Sequence, residues 1–224
     1  MVSARKYEKE NVVEKIAFVH LMRTGGTYLL RQFTLNDWDV FNSWDTMKRD
    51  WTKAEAYAFV NKQQGLFHNH VVSWDYDTMV KFKRSDWSLF TIVRNPISQL
   101  TSLYNYLGNN PHISKSGRGL KMSLDEFARS QVAGKPLLSE HNGKCVMHKQ
   151  HWAIPDWHKK ISIVIAYDKQ NLRKNLSSRF AMECQDRLIN NTNYMSSEMS
   201  EETKEIIRQD SCYEKYIELS KRIT

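Results

Sequence analysis

The chain has 224 residues, 41% of them apolar and 26% charged, which predicts one globular domain over residues 1–224 with a core large enough to fold alone. No stretch approaches the ~20 apolar residues of a membrane span, and "MVSARKYEKE" at the N-terminus lacks the apolar centre of a secretory signal. The net charge of +8 suits an anionic partner, but no run of five or more like charges occurs, so nucleic acid is not an expected partner.

The first predicted strand, Lys15–Leu21, runs into "MRTGGT" and then into a helix over Gly26–Leu35. Strand, glycine turn, helix is the order that presents backbone N–H groups and a helix N-terminus to an anion. Gly25 and Gly26 allow close backbone approach, Thr24 and Thr27 add hydroxyls, and Arg23 adds a fixed charge. The turn lacks the G-x-x-x-x-G-K-[ST] pattern of nucleoside triphosphate loops. "AEAYAFVNKQQ" has the apolar spacing of an amphipathic helix. The second strand, Gly65–Val71, carries His68 and His70, which a two-residue period places on one face. A histidine there is a candidate general base for a hydroxyl, against the plainer reading of two structural histidines.

The third strand, Trp87–Val93, leads into "RNPISQLTSLYNYL". Arg94 stands at its carboxyl end, Pro96 suits the first position of the next helix, and Ser102 lies two turns along. An arginine fork with a nearby serine grips a phosphate well. A polar loop is predicted over Gly108–Gly119. Ser123 and Glu126 form a capping box ahead of "LDEFARSQV". The fourth strand is Ile161–Ala166. One helix is expected from about Asp168 to Met182, and a last one from Ser200 to the C-terminus.

Strands alternating with helices predict an α/β fold with a mainly parallel central sheet flanked by helices. Ligands in such sheets sit outside the carboxyl ends of the strands. An anion loop, a base candidate and a second anion clamp are therefore expected to face one crevice. The three cysteines, Cys145, Cys184 and Cys212, are widely spaced, which argues against a disulfide framework and fits a reducing, cytoplasmic compartment.

These residues resemble a known family. "FVHLMRTGGTYL" resembles the 5′-phosphosulfate loop of the sulfotransferases that use 3′-phosphoadenosine 5′-phosphosulfate (PAPS), whose carbohydrate branch has a pattern close to H-x-x-K-T-G-G-T. "VRNPISQLTSLYNYL" resembles their 3′-phosphate motif, with Arg94 and Ser102 at the family spacing. "GLFHNHVVSWDY" resembles the histidine-bearing strand of the heparan sulfate and uronyl 2-O-sulfotransferases, and "SEETKEIIRQDSCYEKYIEL" the closing helix of that branch. The resemblance implies a P-loop-like sandwich and PAPS as cofactor, with adenosine 3′,5′-bisphosphate (PAP) as product and no metal required. Arg23, Thr24, Gly25, Gly26, Thr27 and Tyr28 would hold the 5′ side, and Arg94 and Ser102 the 3′-phosphate. His70 or His68 would take the proton of an acceptor hydroxyl, that of a saccharide. Arg23 stands where the family has lysine; it can neutralise a leaving group but is a poor proton donor. In "RLINNTNY", Asn190 and Asn191 stand where relatives carry basic residues, so no cofactor role is carried over there.

Two other functions stay open: a P-loop small-molecule kinase, and a non-catalytic binder of nucleotides or acidic glycans. Against the kinase, no GK[ST] is present and no clear magnesium carboxylate follows a later strand. His141, His148, His151 and His158 gather with Cys145, but their spacing matches no structural zinc pattern. Trp44, Trp51 and Trp74 are candidates to stack on a sugar, with aromatic packing the commoner role.

Overall fold

The computed structural model describes residues 15–42, 58–61, 65–70, 76–109, 120, 122–134, 156–168, 172–185 and 198–223. Five strands form one parallel sheet: β1 Lys15–His20, β2 Val40–Asn42, β3 Gly65–His70, β4 Ser88–Val93 and β5 Ile163–Ala166. Their order is β2–β3–β1–β4–β5, with β1 in the centre. The helices are α1 Gly26–Leu35, α2 Tyr76–Arg84, α3 Pro96–Asn109, α4 Leu124–Val132, α5 Trp157–Lys160, α6 Leu172–Phe180, α7 Glu201–Arg208 and α8 Ser211–Ser220.

Side chains alternate across a strand, so β1 feeds two cores at once. Ala17, Val19 and Leu21 pack with Met79 and Phe82 of α2, Trp157 of α5 and Leu219 of α8. Ile16 and Phe18 pack on the opposite face with Leu29 and Phe33 of α1 and Leu176 and Phe180 of α6. Covering both faces is why "SLFTIV" and "ISIVIA" read as continuous apolar runs. A third cluster joins α3, α4 and α7 through Leu100, Leu103, Phe127 and Ile207. The result is the expected α/β sandwich with a parallel sheet flanked by helices, and it is P-loop-like in joining β1 to α1 through a glycine turn.

The ladder puts the chemistry-bearing strand ends side by side. β1 pairs with β3 on one edge, His20 opposite His70, and with β4 on the other. The chain leaves β1 toward β2 and later returns to build β4 on its far side. The carboxyl end of β1 is thus the topological switch point, where open α/β sheets bind ligands.

Several elements differ from expectation. β2, α2 and α5 were not anticipated, and β5 begins at Ile163, two residues late. The single closing helix is in fact two, α7 and α8. Asp210 takes an extended conformation and its side chain accepts the Cys212 N–H, so it caps a new helix and ends the old one. Residues 58–60 are helical and Asn61 ends them in a turn, but residues 54–57 and 62–64 of "AEAYAFVNKQQ" lie outside the described residues, as do residues 110–119 of the polar loop. Trp44, Trp51, Trp74, Asn190, Asn191, Cys145, His141, His148 and His151 also lie outside them. His158 is buried, and its Nε2 meets Glu218 Oε2 of α8 at 3.0 Å, anchoring the C-terminal helix. Among the described residues no group of three His, Cys, Asp or Glu side chains is placed to hold a metal, and no helix is long and apolar enough to cross a membrane.

The capping box forms as expected: the Ser123 N–H donates to Glu126 Oε2 at 2.7 Å and the Glu126 N–H to Ser123 Oγ at 3.2 Å. The Ser123 N–H, and after it the Ser123 hydroxyl, which donates to the same Oε2 at 3.0 Å, hold the Glu126 carboxyl below its usual range. Ser123→Ala removes one partner of the box and is expected to lower the melting temperature by about 2–4 °C, read by circular dichroism. An unchanged melting temperature would show that α4 is held by its packing alone.

Candidate active site

The turn after β1 is an unusual piece of backbone. Arg23 has φ 64° and Gly25 φ 89°, both left-handed, with Thr24 between them outside that region. Alternating hands curl successive N–H groups toward one concave side, the arrangement that cradles anions. An arginine in the left-handed region costs about 1–2 kcal/mol, so something must hold it there.

Three side chains do. Thr24 Oγ1 donates to the Leu21 carbonyl at 2.6 Å, Gln99 Nε2 to the Met22 carbonyl at 2.6 Å, and Arg94 Nη1 to the Arg23 carbonyl at 3.1 Å. At about 0.5–1.5 kcal/mol each, these bonds outweigh the backbone cost. They also set direction. In a trans peptide the N–H points opposite to the C=O. Pinning the carbonyls of Leu21, Met22 and Arg23 therefore turns the N–H groups of Met22, Arg23 and Thr24 the other way. The first intrahelical bond of α1 runs from the Leu29 N–H to the Gly25 carbonyl at 3.0 Å. The N–H groups of Gly26, Thr27 and Tyr28 thus stand at the start of α1 with no intrahelical acceptor.

Two arginines flank this backbone, each laid on a tyrosine. The Arg23 guanidinium carbon lies 4.4 Å from the Tyr106 ring centroid, and that of Arg94 lies 4.6 Å from Tyr167. Each stacking is worth about 0.5–1 kcal/mol at a partly exposed site and fixes the cation in space. Arg94 Nε also donates to Ser98 Oγ at 2.8 Å. No described residue takes a bond from Arg94 Nη2, and no described carboxylate pairs with Arg94.

The expected site residues fall into two groups. Arg23, Gly25, Gly26, Arg94 and Ser102 meet in one place, where Arg23 Nε donates to Ser102 Oγ at 3.4 Å across the two halves of the predicted clamp. Thr27 is exposed at the start of α1. His70 ends β3 and pairs with His20 in the ladder. The remaining side chains point elsewhere. The Thr24 hydroxyl is fully buried on the Leu21 carbonyl, so it shapes the loop and is not an exposed donor. The Tyr28 side chain sits in the core between α1 and the sheet, its hydroxyl donating to the Gln185 carbonyl at 3.2 Å. His68 is 1% exposed, and its Nε2 meets His20 Nδ1 at 2.9 Å.

Five residues escaped the sequence reading: His20, Ser98, Gln99, Tyr106 and Tyr167. Gln99, Ser102 and Tyr106 recur at i, i+3 and i+7, so one face of α3 carries all three to the loop. That spacing was visible in "QLTSLYNY". Tyr167 follows β5 and was not: a methyl group at Gly25 would lie 3.1 Å from its Cε2, a contact made only in three dimensions.

No protein-family model matches the chain, and no curated protein matches it. Among solved structures the chain is similar to the mouse sulfotransferase SULT7A1 complexed with PAP, at 16% identity and a TM-score of 0.44. The match covers 90% of this chain, which spans 65% of the length of that structure.

Proposed function

We propose that this chain is a sulfotransferase, moving a sulfuryl group from PAPS to the hydroxyl of an acceptor, a saccharide being the class we favour. One observation carries the reading: a backbone nest at the switch point stands within one side chain of a second anion clamp, Arg94, at the next strand end. That pairing suits a nucleotide with anions at both its 5′ and 3′ positions, where a triphosphate would need only the loop.

The residues present fit such a ligand. The N–H groups of Gly26, Thr27 and Tyr28 would receive its 5′ side, and Arg94 Nη2 its 3′-phosphate. Ser102, which now accepts from Arg23 Nε, would join Arg94 there. When bound, PAPS supplies an activated sulfuryl group and a bisphosphate leaving group. The preorganised N–H groups and the Arg23 charge stabilise the negative charge that grows on the leaving side, with no reorganisation at the moment of reaction. Arg23 stays charged and does not deliver a proton. His70 accepts the proton of the acceptor hydroxyl.

Thermal melts with three ligands test the reading. At about 100 times its dissociation constant, PAP is expected to raise the melting temperature by about 5–10 °C. ATP with magnesium and a sulfated glycan should do much less. A shift with ATP–magnesium and none with PAP would instead identify a kinase. Binding of PAP with no transfer of labelled sulfate to a broad acceptor panel would identify a non-catalytic binder.

A further inference from the structure

Of the two glycines in the loop, only Gly25 has a backbone conformation that asks for glycine. Gly26 opens α1 outside the left-handed region, where alanine is the better helix former. Something else must explain it. A Cβ placed on Gly26 would overlap Cε1 and Nε2 of His20 and stand 2.7 Å from its Nδ1. The imidazole of His20 is pressed flat against the first residue of the helix, and no side chain fits between them.

His20 is itself held on two sides. Its ring stacks on Phe18, centroids 5.1 Å apart and planes 22° from parallel. Its Nδ1 meets His68 Nε2 at 2.9 Å, a contact in which one nitrogen donates and the other accepts. Phe18 in turn stacks on Phe90 at 4.7 Å. A continuous column thus runs from β4 and β3 through β1 to the underside of the anion loop. His20 is 8% exposed and His68 1%, so both imidazoles lie in the packed interior.

We infer that His20 is a positioning residue of the anion loop, locked by His68, and that Gly26 is glycine in order to receive its ring. His68 then acts on the loop through His20, not on the acceptor. The inference rests on the anion-binding role proposed above, but its packing part stands on geometry alone.

The test is a double-mutant cycle. Gly26→Ala is expected to lower the melting temperature by about 5 °C or more, through overlap with the ring. In a His20→Ala background the same Gly26→Ala change should be neutral or stabilising, since the ring is gone and alanine favours the helix. His20→Ala alone should weaken PAP binding about tenfold or more, the loss of one well-aimed charged hydrogen bond. Its turnover at saturating PAPS should fall as well, since the same loop N–H groups stabilise the charge on the leaving side. His68→Gln, whose amide can reach the place of Nε2, should keep PAP affinity, and His68→Leu should lose it about as His20→Ala does. Additive effects of Gly26→Ala and His20→Ala overturn the inference. So does a His68 pair of variants that both keep PAP affinity and lose turnover, which would make His68 a base. If the parent protein does not bind PAP at all, the sulfotransferase reading falls, and the melting-temperature cycle still decides the packing: coupling upholds it and additivity overturns it.

Discussion

His70→Ala is expected to cut turnover by about 10²–10⁴-fold while PAP affinity stays within about twofold, the signature of a lost general base. The argument runs through the sheet. β3 lies beside β1, and the ladder sets His70 opposite His20, the last residue before the anion loop. His70 therefore stands at the carboxyl edge of the sheet, on the strand next to the proposed sulfuryl donor. His68, two residues earlier, is inside the protein and engaged with His20. Of the two histidines that the strand pattern offers, only His70 stands at the strand end where an acceptor hydroxyl would meet the donor. PAP has no acceptor hydroxyl in place, so a base contributes nothing to its binding. Steady-state sulfate transfer and PAP titration on the same preparation separate the two quantities. A loss of PAP affinity in His70→Ala would remove it from the role of base and make it part of the nucleotide site.

Much of this arrangement was legible in the chain because its causes are local. Apolar runs bounded by polar turns marked β1, β3 and β4 within one or two residues. Ser123 and Glu126 announced α4 because a capping box is made of neighbours. What stayed hidden depends on contacts between distant residues. β2 has three residues, too few for a two-residue period to show, and it exists because β3 offers it a ladder. Asp210 sits inside an otherwise helical pattern, and only its cap geometry reveals two helices. Thr24 looked like a ligand hydroxyl beside an anion loop, yet the Leu21 carbonyl three residues back captures it. The same holds for the second glycine. Adjacent glycines suggested close approach to an anion from outside, whereas at Gly26 the close approach comes from the His20 ring inside.

Arg94→Ala is expected to weaken PAP binding by about 1.5–3 kcal/mol, or about 10–150-fold, and to leave the fold intact. Three contacts give the residue its place: Nε on Ser98 at 2.8 Å, Nη1 on the Arg23 carbonyl at 3.1 Å, and the guanidinium face on Tyr167. They leave Nη2 with no described acceptor, on a cation that no described carboxylate neutralises. Removing the side chain takes away the charge proposed to face the 3′-phosphate and also the bond that holds the Arg23 carbonyl, so the nest loses one of its three pins. Two further measurements tell these effects apart. Arg94→Lys keeps the charge but not the fork and should recover only part of the affinity, because an ammonium cannot bond Ser98, the Arg23 carbonyl and a phosphate in one plane. Adenosine 5′-phosphate, which lacks the 3′ anion, should bind the parent more weakly than PAP and lose much less on Arg94→Ala. Equal losses for the two nucleotides would mean that Arg94 serves only the loop, and that the 3′-phosphate is held by other residues.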